Sequence, residues 1–98
     1  MRRTVGLCLA VCAVVVSGAC ANRGREVFVR EGCGNCHRFR DLGGGGAPDL
    51  SDVGRRRDAA WIGVQIANPA AHDPASRMPP YPGVRGSDLR SLVAFLRG

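Results

Sequence analysis

The sequence contains no lysine, so all 14 of its basic residues are arginine, and eight acidic residues stand against them. Two of the arginines belong to a predicted leader; without them, 12 basic minus 8 acidic residues leave a charge of +4. This modest excess argues against nucleic acid as the partner. The densest basic run, Arg55 to Arg57, is typical of a solvated loop.

Possible metal ligands are also scarce. No cysteine follows Cys36, and His72 is the one histidine after His37. A zinc site would need more ligands than these residues supply. A thioredoxin-type dithiol would need strands that alternate with helices, and the sequence shows no such pattern.

The N-terminal segment has the parts of a secretory signal. Two arginines form a positive n-region, Val5 to Val16 is an apolar h-region of 12 residues, and small residues follow. We therefore assign residues 1–20 to a signal peptide and residues 21–98 to a single exported domain. An uncleaved membrane anchor is the alternative, because the 17 residues that end at Ala21 carry no charge.

The sequence Cys33-Gly34-Asn35-Cys36-His37 is a C-x-x-C-H motif, which is typical of covalent attachment of a c-type haem. Two thiols at this spacing lie within about one helical turn, so both can form thioethers at one edge of a porphyrin. The imidazole then lies beneath the iron. A dithiol or a chance occurrence is the disfavoured alternative. No cysteine pair is left for a structural disulfide, and a bound haem would complete a core that is small for so short a chain.

The apolar pattern shows no repeat and no strand-like alternation, which favours an all-α domain. A shared helical periodicity predicts three helices: Gly24 to Gly32, Ala59 to Ala67 with Asp58 as N-cap, and a C-terminal helix with Ser87 as N-cap and Leu89, Leu92, Val93 and Leu96 on its apolar face. Loops are predicted at Phe39 to Pro48 and Ala70 to Gly86, and one short turn at Asp49 to Val53. Gly24 and Phe28 are expected where the first and last helices cross.

These features resemble the class I cytochromes c, in particular the small bacterial single-haem domains, from Gly24 to Arg97. The motifs that carry the resemblance are Gly24-x-x-x-Phe28, C-x-x-C-H at 33–37, Ala47-Pro48-Asp49-Leu50, Arg77-Met78-Pro79-Pro80-Tyr81 and Leu89 to Leu96. The resemblance implies an all-α cytochrome c fold, with three to four short helices around one covalently bound haem c.

The resemblance also implies roles for individual residues. Cys33 and Cys36 would form the thioethers, His37 would be the proximal iron ligand and Met78 the distal ligand. Pro48 would accept a hydrogen bond from the proximal imidazole and so fix its orientation.

Three further positions have two interpretations each. Trp61 is similar to a family tryptophan that donates to a haem propionate, but a plain core tryptophan is the alternative. Tyr81 would pack at the haem edge or anchor its loop, and one arginine of Arg55 to Arg57 would pair with a propionate or be solvated. Ala47 departs from the family, which usually has glycine before that proline.

Elimination supports Met78 as the second ligand. The chain has only two methionines, and Met1 is removed with the signal. Pro79 and Pro80 stiffen the loop directly after Met78. His72 is the competing ligand, although a histidine in such a loop is most often simply solvated; a gap-filling role for Met78 is the other alternative.

A haem iron with both axial positions filled by protein has no site for substrate, which leaves one-electron transfer. We therefore expect a monomeric electron carrier of a respiratory chain, not an enzyme, with an oxidase, a dehydrogenase or a quinol-oxidising complex as redox partner. The alternatives are a gas sensor or peroxidase-like enzyme with a displaceable Met78, and an electron-transfer subunit of a larger oxidoreductase.

Cys20 offers a route to the membrane. Ser17-Gly18-Ala19-Cys20 resembles a bacterial lipobox in its small residues, although an aliphatic residue is usual where Ser17 stands. We expect a lipoprotein in the periplasm, associated with the membrane through this lipid or through the N-terminal segment. Ordinary cleavage after Ala21 is the alternative.

Overall fold

A computed structural model describes residues 22–98, in which helices predominate. The predicted leader and Cys20 lie outside the described residues. In chain order the helices and strands are α1 (22–30), β1 (Arg38–Phe39), β2 (Leu42–Gly43), α2 (Val53–Arg56), α3 (Ala59–Ala67) and α4 (Gly86–Arg97), with 3-10 turns at Cys33–Asn35 and Pro69–Ala71. The first, central and last helices therefore lie where the sequence predicted them. Among residues 22–98, no helix is long and apolar enough to cross a membrane.

Helices α1 and α4 pack against each other through a glycine and an aromatic cluster. Gly24 is buried, and a Cβ at this position would overlap the carbonyl oxygen of Ser91 and the Cβ of Phe95. The ring of Phe28 lies 5.9 Å from that of Phe95 and 6.2 Å from that of Phe39. The predicted crossing is present, because the missing side chain brings the two backbones together beside a bulky ring.

Ion pairs reinforce this crossing at its surface. Asp88, in the first turn of α4, accepts hydrogen bonds from Arg23 at 2.9 Å and from Arg30 at 3.1 Å. The hydrogen bonds from these two arginines hold the pKa of the Asp88 carboxyl below its ordinary value. Asp88 is placed as predicted, but Ser87 is not the N-cap: the helix begins at Gly86, and no side chain caps its first turn.

The segment after the C-x-x-C-H motif is not simply a loop. Arg38 and Phe39 pair antiparallel with Gly43 and Leu42, across a two-residue turn in which Arg40 has a φ of 55°. Phe39, which was assigned to the loop, is 1% exposed, and its ring lies 4.8 Å from that of Phe95. Two-residue strands are too short to show an alternating pattern, so the sequence could not reveal them.

The middle of the chain follows the predicted pattern with one difference. The Asp58 carboxylate accepts a hydrogen bond from the Trp61 N–H at 2.8 Å and so caps α3 as predicted. A turn is present within Asp49 to Val53 as expected, but it leads into the four-residue helix α2, which was not predicted. Of the apolar residues of α3, Ile62 and Ile66 are buried, whereas Val64 is 42% exposed.

The core of the described chain is small. Its buried apolar side chains come from both terminal helices, the hairpin, α2, α3 and the loop before α4: Val27, Phe28, Phe39, Val53, Ile62, Ile66, Val84, Leu92, Val93 and Leu96. Cys33, Trp61 and Tyr81, three of the predicted site residues, are partly buried against this core. The core thus supports the candidate site directly.

Candidate haem-binding site

The C-x-x-C-H motif lies on the 3-10 turn that follows α1. Gly32 enters this turn with a φ of 74°, and the His37 N–H donates to the Cys33 carbonyl oxygen at 3.0 Å. Cys33 and Cys36 are free thiols; Cys33 is half-buried and Cys36 is exposed. Burial raises the pKa of the Cys33 thiol.

The four consecutive glycines Gly43 to Gly46 form a four-glycine loop that wraps closely around the motif. The Gly44 N–H donates to the Gly34 carbonyl oxygen at 3.1 Å, and the Ala47 N–H donates to the Cys36 carbonyl oxygen at 3.1 Å. A Cβ on Gly45 would lie only 2.8 Å from the Cys36 oxygen. The loop is therefore rich in glycine because its backbone lies directly on the backbone of the motif.

This path brings Pro48 to His37. The His37 Nδ1 lies 2.7 Å from the Pro48 carbonyl oxygen. A carbonyl can only accept, so Nδ1 carries the proton of the neutral ring and Nε2 has a free lone pair. Alanine in place of glycine at position 47 does not prevent this contact. The imidazole is therefore oriented for binding a metal through Nε2.

Met78 lies in the proline-rich loop between His72 and Arg85, and this loop is fastened to α3 at two points. The Tyr81 N–H donates to the Ile66 carbonyl oxygen at 2.9 Å, and the Gln65 Nε2 donates to the Met78 sulfur at 3.4 Å. Burial raises the pKa of the Tyr81 hydroxyl, and the charges of Cys33 and Cys36 raise it further. Tyr81 thus fastens this loop to α3 and is partly buried against the core.

Trp61 and His72 are in contact with each other. Their rings stack with centroids 4.2 Å apart and planes 4° from parallel, and the Arg57 guanidinium carbon lies 4.2 Å from the Trp61 ring. His72 is exposed, as expected for a solvated loop histidine, but its Nδ1 also lies 2.7 Å from the Gln65 Oε1. Sequence reasoning missed Gln65. Its position one helical turn after Trp61 was the available signal, since side chains four residues apart share a helix face.

The donor set fits a covalently bound haem. Two free thiols at a two-residue spacing suit thioether formation, an imidazole with a free Nε2 suits the iron, and the half-buried thioether of Met78 suits a second iron ligand. Residues 22–98 contain no cluster of three or more His, Cys, Asp or Glu side chains that could hold a metal ion.

Comparison with known proteins identifies the family. The model of the cytochrome c family matches residues 21–98, so the chain belongs to this family, whose members carry a covalently attached haem c and transfer electrons. The sequence-based assignments of family, fold and cofactor are thereby confirmed.

Two longer relatives contain a similar region. One is cytochrome c oxidase subunit 2 of Alkalihalophilus pseudofirmus, 29% identical over 85 residues, which cover 79% of this chain and 25% of the relative. The other is a lupanine 17-hydroxylase [cytochrome c] of a Pseudomonas species, 35% identical over 82 residues, which cover 82% of this chain and 11% of the relative. The chain thus spans a quarter or less of the length of these relatives.

Proposed function

We propose that the chain is a single-haem cytochrome that passes one electron at a time between redox partners of a respiratory chain. The observation that carries this proposal is the His37 imidazole, oriented by Pro48 directly after two free thiols. When bound, the haem supplies a one-electron iron couple. Met78 would be the second iron ligand beside His37, so protein side chains would fill both positions and none would be open to substrate.

The chain itself provides attachment, orientation and shielding. Cys33 and Cys36 hold the group covalently, and the Pro48 carbonyl keeps the His37 ring in one orientation. Tyr81 fastens the Met78 loop to α3 and packs against the core. Ligands that are held in place in both oxidation states need little rearrangement during electron transfer.

Carbon monoxide distinguishes this function from gas sensing or peroxidase-like catalysis. Added to the reduced protein, it should leave the visible spectrum unchanged, because Met78 fills the distal position. Met78→Ala opens that position and should bind carbon monoxide at once. An immediate change in the wild type would mean a displaceable ligand and would favour the sensor or enzyme.

Covalent attachment has its own test. The haem should stay with the chain after denaturation and acid-acetone extraction, and Cys33→Ala and Cys36→Ala should each reduce the covalently bound fraction. Extraction of the haem from the wild type would contradict the thioether assignment.

The two relatives favour a second candidate, an electron-transfer module of a larger oxidoreductase. Both are longer proteins that contain a region similar to this chain. Co-purification from membranes separates the candidates: a stoichiometric oxidase, dehydrogenase or quinol-oxidising complex indicates a subunit, whereas isolation of a monomer indicates a free carrier.

We further propose that the domain acts outside the cytoplasm, that the signal within residues 1–20 is cleaved directly before Cys20, and that a lipid on Cys20 holds the domain at the membrane. The small residues before Cys20 support this proposal. Mass spectrometry of the mature N-terminus should show a lipidated Cys20, and Cys20→Ala should release the protein from membranes. An unmodified chain that begins at Asn22 would contradict the anchor.

A further inference from the structure

Three side chains form a continuous hydrogen-bonded chain that ends on the candidate distal ligand. The His72 Nδ1 lies 2.7 Å from the Gln65 Oε1, and the Gln65 Nε2 lies 3.4 Å from the Met78 sulfur. We propose that Gln65 is a positioning residue for Met78, that His72 fixes the direction of its amide, and that the resulting hydrogen bond raises the reduction potential. This inference rests on the proposed role of Met78 as an iron ligand.

The chemistry of the sulfur fixes the direction of the amide. A thioether has no hydrogen to donate, so it can only accept, and Gln65 must present its NH2 group to Met78. The amide oxygen then faces His72 and needs a donor. His72 therefore carries a proton on Nδ1. Because the neutral Nδ1–H tautomer and the imidazolium both donate through this atom, the direction of the amide does not depend on the charge of His72.

Neighbouring elements hold His72 where it can do this. Its ring stacks on Trp61. Its backbone N–H donates to the Pro69 carbonyl oxygen at 3.1 Å, at the end of the 3-10 turn after α3. Trp61 and Gln65 lie one turn apart on α3. The stacking offsets the entropy lost when an exposed side chain is ordered.

The hydrogen bond affects the two oxidation states of the iron unequally. The sulfur has one lone pair for the metal and another for the Gln65 N–H. Donation to the second lone pair withdraws electron density from the sulfur, which makes it a poorer ligand for the electron-demanding ferric state. The reduced state is therefore favoured, and loss of the N–H should lower the potential.

Gln65→Leu tests the inference, because leucine has a similar reach and no N–H. The variant should keep the near-infrared sulfur-to-iron band of the oxidised protein. At a fixed ambient potential its ratio of reduced to oxidised protein should fall about two- to fivefold, as expected for one weak hydrogen bond, which is about 20–40 mV at 59 mV per decade. His72→Phe, which keeps a ring against Trp61, should shift the potential in the same direction by less.

Val64→Ala is the matched control, since Val64 lies on the same helix and is 42% exposed. Its potential should equal that of the wild type. An intact band in Gln65→Leu with an unchanged potential would overturn this inference and leave the ligand assignment standing. Absence of the band from the wild type would overturn both.

Nitrogen NMR of the reduced wild-type protein gives a second test that needs no variant. The His72 ring should be protonated at Nδ1, and the Gln65 side-chain N–H signals should change when Met78 is replaced by alanine. A His72 ring protonated only at Nε2 would contradict the proposed direction of the amide.

Discussion

At Gly24 the backbone of α1 lies directly against α4. A Cβ there would overlap the Ser91 carbonyl oxygen and the Cβ of Phe95, so the helices would have to move apart. We expect Gly24→Ala to lower the free energy of unfolding by about 1–3 kcal/mol, as overpacking typically does. Chemical denaturation of the holoprotein measures this change.

Gly63 provides the matched control, because a Cβ at this position in α3 would meet no atom within 4 Å. Gly63→Ala should stabilise the protein by roughly 0.5–1 kcal/mol, since alanine is the better helix former. The two identical substitutions should thus have opposite signs. A Gly24→Ala variant as stable as the wild type would mean that the helices do not approach closely at this glycine.

At the scale of elements, an aromatic cluster holds the terminal helices and the hairpin together. Phe28 is 1% exposed, and its ring contacts those of Phe39 and Phe95. Phe28→Ala should cost about 3–5 kcal/mol in unfolding free energy, which is a large part of the stability of a small domain. Phe28→Leu, which keeps most of the buried volume, should cost clearly less. A loss below about 1 kcal/mol in Phe28→Ala would be inconsistent with a buried helix crossing.

The same two helices are joined by a pH-dependent contact. Hydrogen bonds from Arg23 and Arg30 depress the folded-state pKa of Asp88. Its contribution to stability is therefore complete above the unfolded pKa, about 4, and is lost as the pH falls through the lower folded value. Unfolding at a series of acidic pH values should show a shallower loss of stability below about pH 4 in Asp88→Asn than in the wild type.

Asp49 is a useful comparison. The pKa of Asp49 is also lowered, but the main cause is its hydrogen bonds from Ser51. The charges of Arg38 and Arg56 contribute less. Salt screens exposed charges, so high salt should shrink the effect of Asp88→Asn more than that of Asp49→Asn. Equal acid slopes for Asp88→Asn and the wild type would mean that the ion pairs do not form in solution.

At the scale of the whole molecule, the haem completes the fold. Only eleven apolar side chains are buried in residues 22–98, namely the ten of the core and Pro69, and Cys33, Trp61 and Tyr81 are only partly buried. The haem-free Cys33→Ala, Cys36→Ala double variant should therefore have lost most of its helical circular dichroism and its cooperative unfolding at 25 °C. A haem-free chain that unfolds cooperatively would show that the protein core suffices.

The sequence determined those features that depend on residues close together in the chain. The spacing of C-x-x-C-H indicated covalent haem, which the family match confirms, and Asp58 marked the start of α3, which its hydrogen bond to Trp61 confirms. Apolar periodicity located the three main helices. Such features can be located from the sequence because they depend on covalent spacing and on the helical repeat. The iron ligands His37 and Met78 stay predictions that the experiments above address.

Tertiary structure alone decided which distant side chains meet. Phe39 was assigned to a loop, yet it packs between two helices. His72 is exposed as expected, but it also stacks on Trp61 and lies 2.7 Å from Gln65, which in turn lies 3.4 Å from the Met78 sulfur. Gln65 and Met78 are 13 residues apart in the chain, and no local pattern links them. Contacts of this kind depend on how α3 and the proline-rich loop pack together, because a hydrogen bond requires two side chains to meet within a few tenths of an ångström.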